Sequence, residues 1–164
     1  ALSASDMGAL TTTQVKALTS TQLPNLTNAQ LTNLSTAQVS ALGTDQLASL
    51  TSTQMNALTA EQIQSLTNTQ VANLTTTALA SLSSTNVANF TSTQVAALTT
   101  AQIPSLLTPQ VAALTIDQFD GITSAQLRSW RHHGLGMNDT GQGKPCCLQL
   151  RKQLLPQGIV TNRH

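Results

Sequence analysis

Charge is scarce in this chain. Of its 164 residues only 8% are charged and 2% aromatic, and Tyr is absent altogether. Folded domains carry about 25% charged residues, so solubility here falls to Thr, Ser, Gln and Asn. The six acids are scattered, and the three histidines, His132, His133 and His164, all sit near the C-terminal end. No phosphate loop or nucleophile elbow is present. Enzyme chemistry has no footing, and neither a cofactor nor a metal site is expected. No apolar run approaches the roughly 20 residues of a membrane-spanning helix. No charged-then-apolar leader opens the chain, which reads as a processed or excised segment of something longer. The two cysteines, Cys146 and Cys147, are adjacent. Such a pair closes only a strained ring and builds no disulfide framework.

What is present is a repeat. Leu recurs every eight residues from Leu2, and the octad Leu-Thr-x-x-Gln-(Val/Leu/Ile)-x-small runs sixteen times to Ser129. A fixed period means one small unit stacked many times. Numbering from the Leu, position 1 departs only at Phe90 and Ile122, with Trp130 on the same beat after the last unit. Position 2 is Thr or Ser except at Gly43 and Leu107, and position 5 is Gln except at Asp6, Ala78 and Asn86. Position 6 is always large and apolar, and position 8 is Ala, Asn, Ser or Gly.

Thr followed three residues later by Gln is a capping box, in which each side chain satisfies the other residue's amide at a helix start. Thr11 with Gln14, Thr19 with Gln22 and Thr27 with Gln30 are such pairs. So are Thr51 with Gln54, Thr59 with Gln62 and Thr67 with Gln70. Positions 1 and 6 then fall where a hydrophobic staple closes, as in Leu10 with Val15. Asp45, Glu61 and Asp117 lie in first turns, where the helix dipole favours acids. At Leu107 the hydroxyl is missing, so Thr108 is expected to cap and Pro109 to open the helix.

Each helix must be short, because the next cap arrives after eight residues. A continuous helix would smear the apolar stripe by about 80° per octad. One turn alone is unstable in water, so each octad must lean on others. The expected fold is an all-α solenoid of short one-to-two-turn helices over residues 1–129, followed by a basic irregular tail or cap at 130–164. The alternative is a β-solenoid. Recurrent Thr-x-Thr favours it, in Thr11 with Thr13, Thr19 with Thr21, Thr51 with Thr53 and Thr91 with Thr93. Pro24 and Pro104 at position 7 favour it too. Against it, residues 9–120 hold only Gly43 for turning corners.

Leu58-Thr-Ala-Glu-Gln-Ile and Ala97-Leu-Thr-Thr-Ala-Gln-Ile resemble the octapeptide arrays of large exported or surface proteins of bacteria, often described as adhesin-like. The resemblance covers residues 2–129. It implies a structural spacer, scaffold or adhesive segment, located outside the cell or on its surface. A narrower likeness links Leu107-Thr-Pro-Gln-Val to the opening of DNA-reading repeats in plant-pathogen effectors. Those repeats are longer and carry a base-reading pair that is missing here, so only the helix-start grammar is shared.

Some hydroxyls are not required for capping: Thr12 and Thr13, Ser20 and Thr21, Ser52 and Thr53, and Thr76 and Thr77. Together they form a candidate repetitive binding face. An ordered surface such as ice or a polysaccharide would be its ligand, and plain solvation is the simpler reading. Self-association or a repetitive polymer are the partners that suit such an array. The Gln column is explained by capping. Five Asn-x-Ser/Thr sequons occur, at Asn25, Asn33, Asn73, Asn89 and Asn138, and the first four are by-products of the octad. In the tail, Arg131, Lys144, Arg151 and Lys152, with Arg128, are too spread for a nucleic-acid site. His132, His133, Cys146 and Cys147 lack zinc-site spacing. Trp130 with Leu148, Leu150, Leu154 and Leu155 suits a cap on the last apolar layer. The capping argument carries a direct test: Thr67→Ala should cost about 1 kcal/mol in urea unfolding, and no loss at several central caps would remove it.

Overall fold

A computed structural model describes residues 3–132. Among them the chain is all-α, with fourteen helices of five to nine residues, two single 3₁₀ turns and no strand. The β-solenoid alternative is thereby set aside. The Thr-x-Thr pairs do not project from strands. In each, the first Thr precedes a helical turn and the second lies within it, as Thr11 and Thr13 or Thr51 and Thr53 show. Thr19 and Thr21 bond each other through their hydroxyls at 2.8 Å, and Thr91 and Thr93 do so at 2.9 Å.

One octad shows how all are built. In Leu10–Ala17, Thr11 is extended and caps the helix Thr12–Lys16, with the position-6 residue Val15 buried beneath. The next position-1 residue, where a helix does not already end one residue earlier, is itself extended; Leu42 and Leu82 are examples, each bonding its amide back to position 6. The chain thus turns at every Leu and restarts at every Thr. Where position 2 ceases to be Thr or Ser after Trp130, the helix Ser124–His132 runs on past the octad boundary.

Consecutive turns stack into a solenoid. Helices three octads apart pack together, such as Asn68–Ala72 on Ser92–Ala97 and Ser92–Ala97 on Ile116–Asp120. Position 6 and position 1 side chains merge into one continuous apolar core, from Met7 to Ile122. No helix among the described residues is long and apolar enough to cross a membrane.

Three departures from the octad have local causes. At Pro24 and Pro104 the helix becomes a 3₁₀ turn, Leu23–Asn25 and Ile103–Ser105, because proline lacks the amide for an α bond. The residue before each proline stays inside that turn instead of becoming extended, while Leu23 and Ile103 keep their places in the core. At Leu107 the expectation fails: Leu107 itself occupies the cap position and Thr108, not Pro109, is the first helical residue. The eight-residue register holds the helix start in place although Leu107 cannot cap, and its side chain is 54% exposed. At Gly121 a Cβ would lie 2.5 Å from the Ser92 carbonyl oxygen, three octads back. Turns touch there at backbone distance. Gly121→Ala should therefore cost about 1–3 kcal/mol by overpacking, measured by urea unfolding; a neutral result would show that this contact yields freely.

Candidate functional site

The most regular polar feature is the position-5 Gln, which bonds in two directions. Its Oε1 accepts from the cap amide of its own octad, and its own backbone amide donates to the cap hydroxyl in return. For Thr67 and Gln70 the distances are 2.7 Å and 3.1 Å. Its Nε2 crosses to the previous turn. Gln70 donates to the carbonyls of Val39 at 3.0 Å, Ser40 at 3.3 Å and Leu42 at 2.8 Å. These lie 31, 30 and 28 residues back, so with helix packing at three octads a turn takes between three and four octads.

The same set repeats along the array. Gln38 reaches Met7 and Leu10, Gln62 reaches Leu31 and Leu34, and Gln126 reaches Val95 and Leu98. Gln118 does the same with Val87, Ala88 and Phe90. Gln54 bonds the carbonyls of Leu23, Pro24 and Leu26, so proline at position 7 does not break a rung. Each carboxamide from Gln38 onward is buried, and no buried side-chain polar atom among the described residues lacks a partner. One side chain thus closes the start of its own helix and the end of a helix one turn away, where unsatisfied amides and carbonyls would otherwise remain.

Remaining carbonyls are met from position 8. Asn25, Asn33 and Asn73 each donate to the carbonyl four residues back at 2.8 Å. Ser49, Ser65, Ser105 and Ser129 donate to the carbonyl of the Gln three residues back. The Asn of these sequons therefore has a helix-ending role of its own.

Irregular units show what the rung supplies. Gly43 and Leu107 lack a cap hydroxyl, yet Gln46 and Gln110 still accept their amides at 2.7 Å. Asn86 is one carbon too short to reach the Ser83 amide and donates only to Met55 and Asn56, at 3.3 and 3.2 Å. Asn56 compensates from the previous turn: its Oδ1 accepts from the Ser83 amide at 2.6 Å and its Nδ2 donates to the Ser81 carbonyl at 2.8 Å. At Ala78 only the Thr75 hydroxyl bond survives, and the Leu47 and Leu50 carbonyls receive no rung. Asp6 accepts from the Ser3 amide at 2.8 Å. That bond, and next the Ser3 hydroxyl, hold its carboxyl below the usual range. Glu61 is lowered first by its own backbone amide and then by the Thr59 hydroxyl.

The expected capping pairs all form the reciprocal bonds: Thr11 with Gln14, Thr19 with Gln22 and Thr27 with Gln30. Thr51 with Gln54, Thr59 with Gln62 and Thr67 with Gln70 do the same.

Thr12, Thr13, Ser20, Thr21, Ser52, Thr53, Thr76 and Thr77 are all exposed. They lie on octads that pack with neighbours three octads along the chain. Thr12 and Thr13 sit on the helix Thr12–Lys16, which packs with Thr36–Ala41. Thr21 lies in the next octad and turns inward to its own chain, its hydroxyl bonded to that of Thr19 and its carbonyl accepting from Asn25. Only Ser52 and Thr53, with Thr76 and Thr77, belong to helices that pack together.

The side chains of Trp130, Arg131 and His132, and all of residues 133–164, lie outside the described residues, and with them the readings of the tail. Capping alone leaves the cross-turn bond unread, although the sequence carries a signal for it. A capping box accepts Glu as readily as Gln, yet position 5 is never Glu. Only the amide can donate.

That distinction is testable at Gln94, whose Nε2 meets the carbonyls of Ile63, Gln64 and Leu66. Gln94→Glu keeps the cap acceptor but sets a buried anion against carbonyls, and should cost about 3 kcal/mol. Ala78→Gln should restore a rung and add about 1 kcal/mol. Urea unfolding of both variants checks the pair; equal stability of Gln94→Glu and the parent would dissolve the cross-turn role.

Searches of curated proteins and of solved structures return no match. A repeat-family model, described as ALTTAQ repeat, matches residues 20–52, 27–60 and 71–108. The matched segments cover helices, a 3₁₀ turn at each end, intact rungs, and both the missing rung at Ala78 and the short one at Asn86. Over residues 20–60 and 71–108 this solenoid is similar to the ALTTAQ repeat family, a family of short repeat arrays.

Proposed function

We propose that the chain is a structural repeat protein, serving as a spacer, scaffold or adhesive array in a bacterial exported or surface protein. The observation that carries this reading is the recurrent Gln rung, which joins turn to turn through near-identical bonds wherever Gln occupies position 5 from Gln38 onward. Stability in such an array is a sum of nearest-turn terms, so its length is set by the number of octads and not by closure of a core. Extension is what this architecture supplies. The reading assigns the chain no catalysis, and its charge-poor, hydroxyl-rich exterior suits repeated weak contacts over one deep pocket. The surface location draws on the likeness to bacterial exported arrays.

Small-angle scattering on chains carrying four more or four fewer central octads tests the spacer role. The maximum dimension should change in proportion to octad number, with melting temperature nearly constant. A dimension that does not follow octad number would overturn it. Should an ice or polysaccharide surface be the target instead, thermal hysteresis or glycan retention would appear and would be lost on Thr76→Lys with Thr77→Lys. In the source bacterium, recovery from the cytosol alone would exclude the surface placement.

A further inference from the structure

Turns of this solenoid are not joined with equal strength, and we infer that it opens first at one built-in seam, between the turn that holds Leu50 and Asn56 and the turn that holds Ala78 and Asn86. Each rung reaches 28 to 31 residues back. At one position-5 side chain per octad, any plane between successive turns is therefore crossed by four of them. Between Leu42 and Gly43 these are Gln46, Gln54, Gln62 and Gln70, and all donate across it. Between Leu98 and Thr99 they are Gln102, Gln110, Gln118 and Gln126, and again all donate.

Between Leu66 and Thr67 the set is Gln70, Ala78, Asn86 and Gln94. Gln70 and Gln94 donate in full. Ala78 has nothing to donate, so the Thr75 amide and the Leu47 and Leu50 carbonyls lose the carboxamide that joins their counterparts elsewhere. Asn86 supplies two bonds, at 3.3 and 3.2 Å. Asn56 adds its own pair across the same plane, donating to the Ser81 carbonyl and accepting from the Ser83 amide. That clasp holds the Asn86 octad shut and leaves the Ala78 octad as the weak point. Burial agrees: Ala78 is only partly buried, whereas Asn86 and every position-5 Gln from Gln38 onward is buried. Water therefore reaches the ladder here.

In a stacked array stability is a sum of nearest-turn terms, and the weakest interface opens at the lowest free energy. The apolar core nevertheless runs unbroken through the seam, with Met55, Leu58, Leu79 and Leu82 buried. Opening is therefore transient, and the flanks, each with an intact ladder, stay folded while it happens. The seam gives an otherwise regular array one place to yield, and it stands whether or not the array serves as a spacer.

Residue-resolved amide hydrogen exchange on the full 164-residue chain in mild urea tests this. The amides of Leu50 and Leu98 bond alike, to the Leu47 and Val95 carbonyls at 3.2 Å. Those of Leu79 and Val39 bond to the Thr75 and Ser35 carbonyls at 2.9 and 3.0 Å. Local bonding is thus matched, and a difference within either pair reports the join between turns. Leu50 and Leu79 should be protected about ten-fold less than Leu98 and Val39. Ala78→Gln should bring each pair level while leaving Leu98 and Val39 unchanged. Asn56→Ala removes the clasp and should lower protection at Leu50 and Leu79 by about a further ten-fold. Should Asn56→Ala fail to fold, Ala78→Gln decides alone. Equal protection within each pair in the parent overturns the inference. So does an Ala78→Gln variant that slows exchange everywhere by one factor, which is the mark of global stabilisation and not of a mended seam.

Discussion

The carboxamide at position 5 is the group on which the rest of the solenoid depends. A one-and-a-half-turn helix has almost no interior: most of its amides and carbonyls belong to one end or the other. In water those groups are solvated, but stacking turns buries them, and burial without partners is costly. A side chain that accepts at one helix start and donates at another helix end resolves both problems at once. Gln has the right reach for this, as Asn86 shows by falling short of its own cap and needing Asn56 from the neighbouring turn.

Because the rung addresses backbone carbonyls, the residues that carry those carbonyls are free to vary. Pro24, Lys16, Gly8 and Gln64 all present position-7 oxygens to a Gln amide, and the bond forms with each. Position 7 can therefore be nearly anything, including proline, so long as the helix end stays in place. Positions 1 and 6 have less freedom, since they fill one continuous core, and at Gly121 position 8 comes within backbone distance of Ser92 three octads back. The octad's variable and invariant columns follow from this division between backbone recognition and side-chain packing.

Much of this is legible in the sequence. The capping boxes, the two apolar columns and the brevity of the helices each follow from local rules that act within eight residues. What is not legible is what connects residues a full turn apart. The number of octads per turn depends on the angle at each extended Leu, and no single residue type encodes that angle. The start of the helix at Thr108, against the local preference for a Thr cap, has the same origin: stacking in register outweighs the roughly 1 kcal/mol that a hydroxyl cap contributes. The exposure of Thr13, Thr21, Thr53 and Thr77 follows from the octad alone, but their distribution around the axis requires the turn geometry.

The near absence of charge then takes on a physical meaning. Had position 5 been Glu, each would still have closed its own helix, yet every turn would have placed buried anions against the helix-end carbonyls of the turn before. Those carbonyls carry the negative pole of the helix dipole, and buried unpaired charge is far costlier than a missing neutral bond. A solenoid of many turns would multiply that penalty with its length, whereas a neutral carboxamide contributes the same favourable rung however long the array becomes. The exclusion of Glu from position 5 is thus a condition for building long solenoids from so short a repeat. Asp6, the one acid at this position, is exposed and closes its own helix start with Ser3.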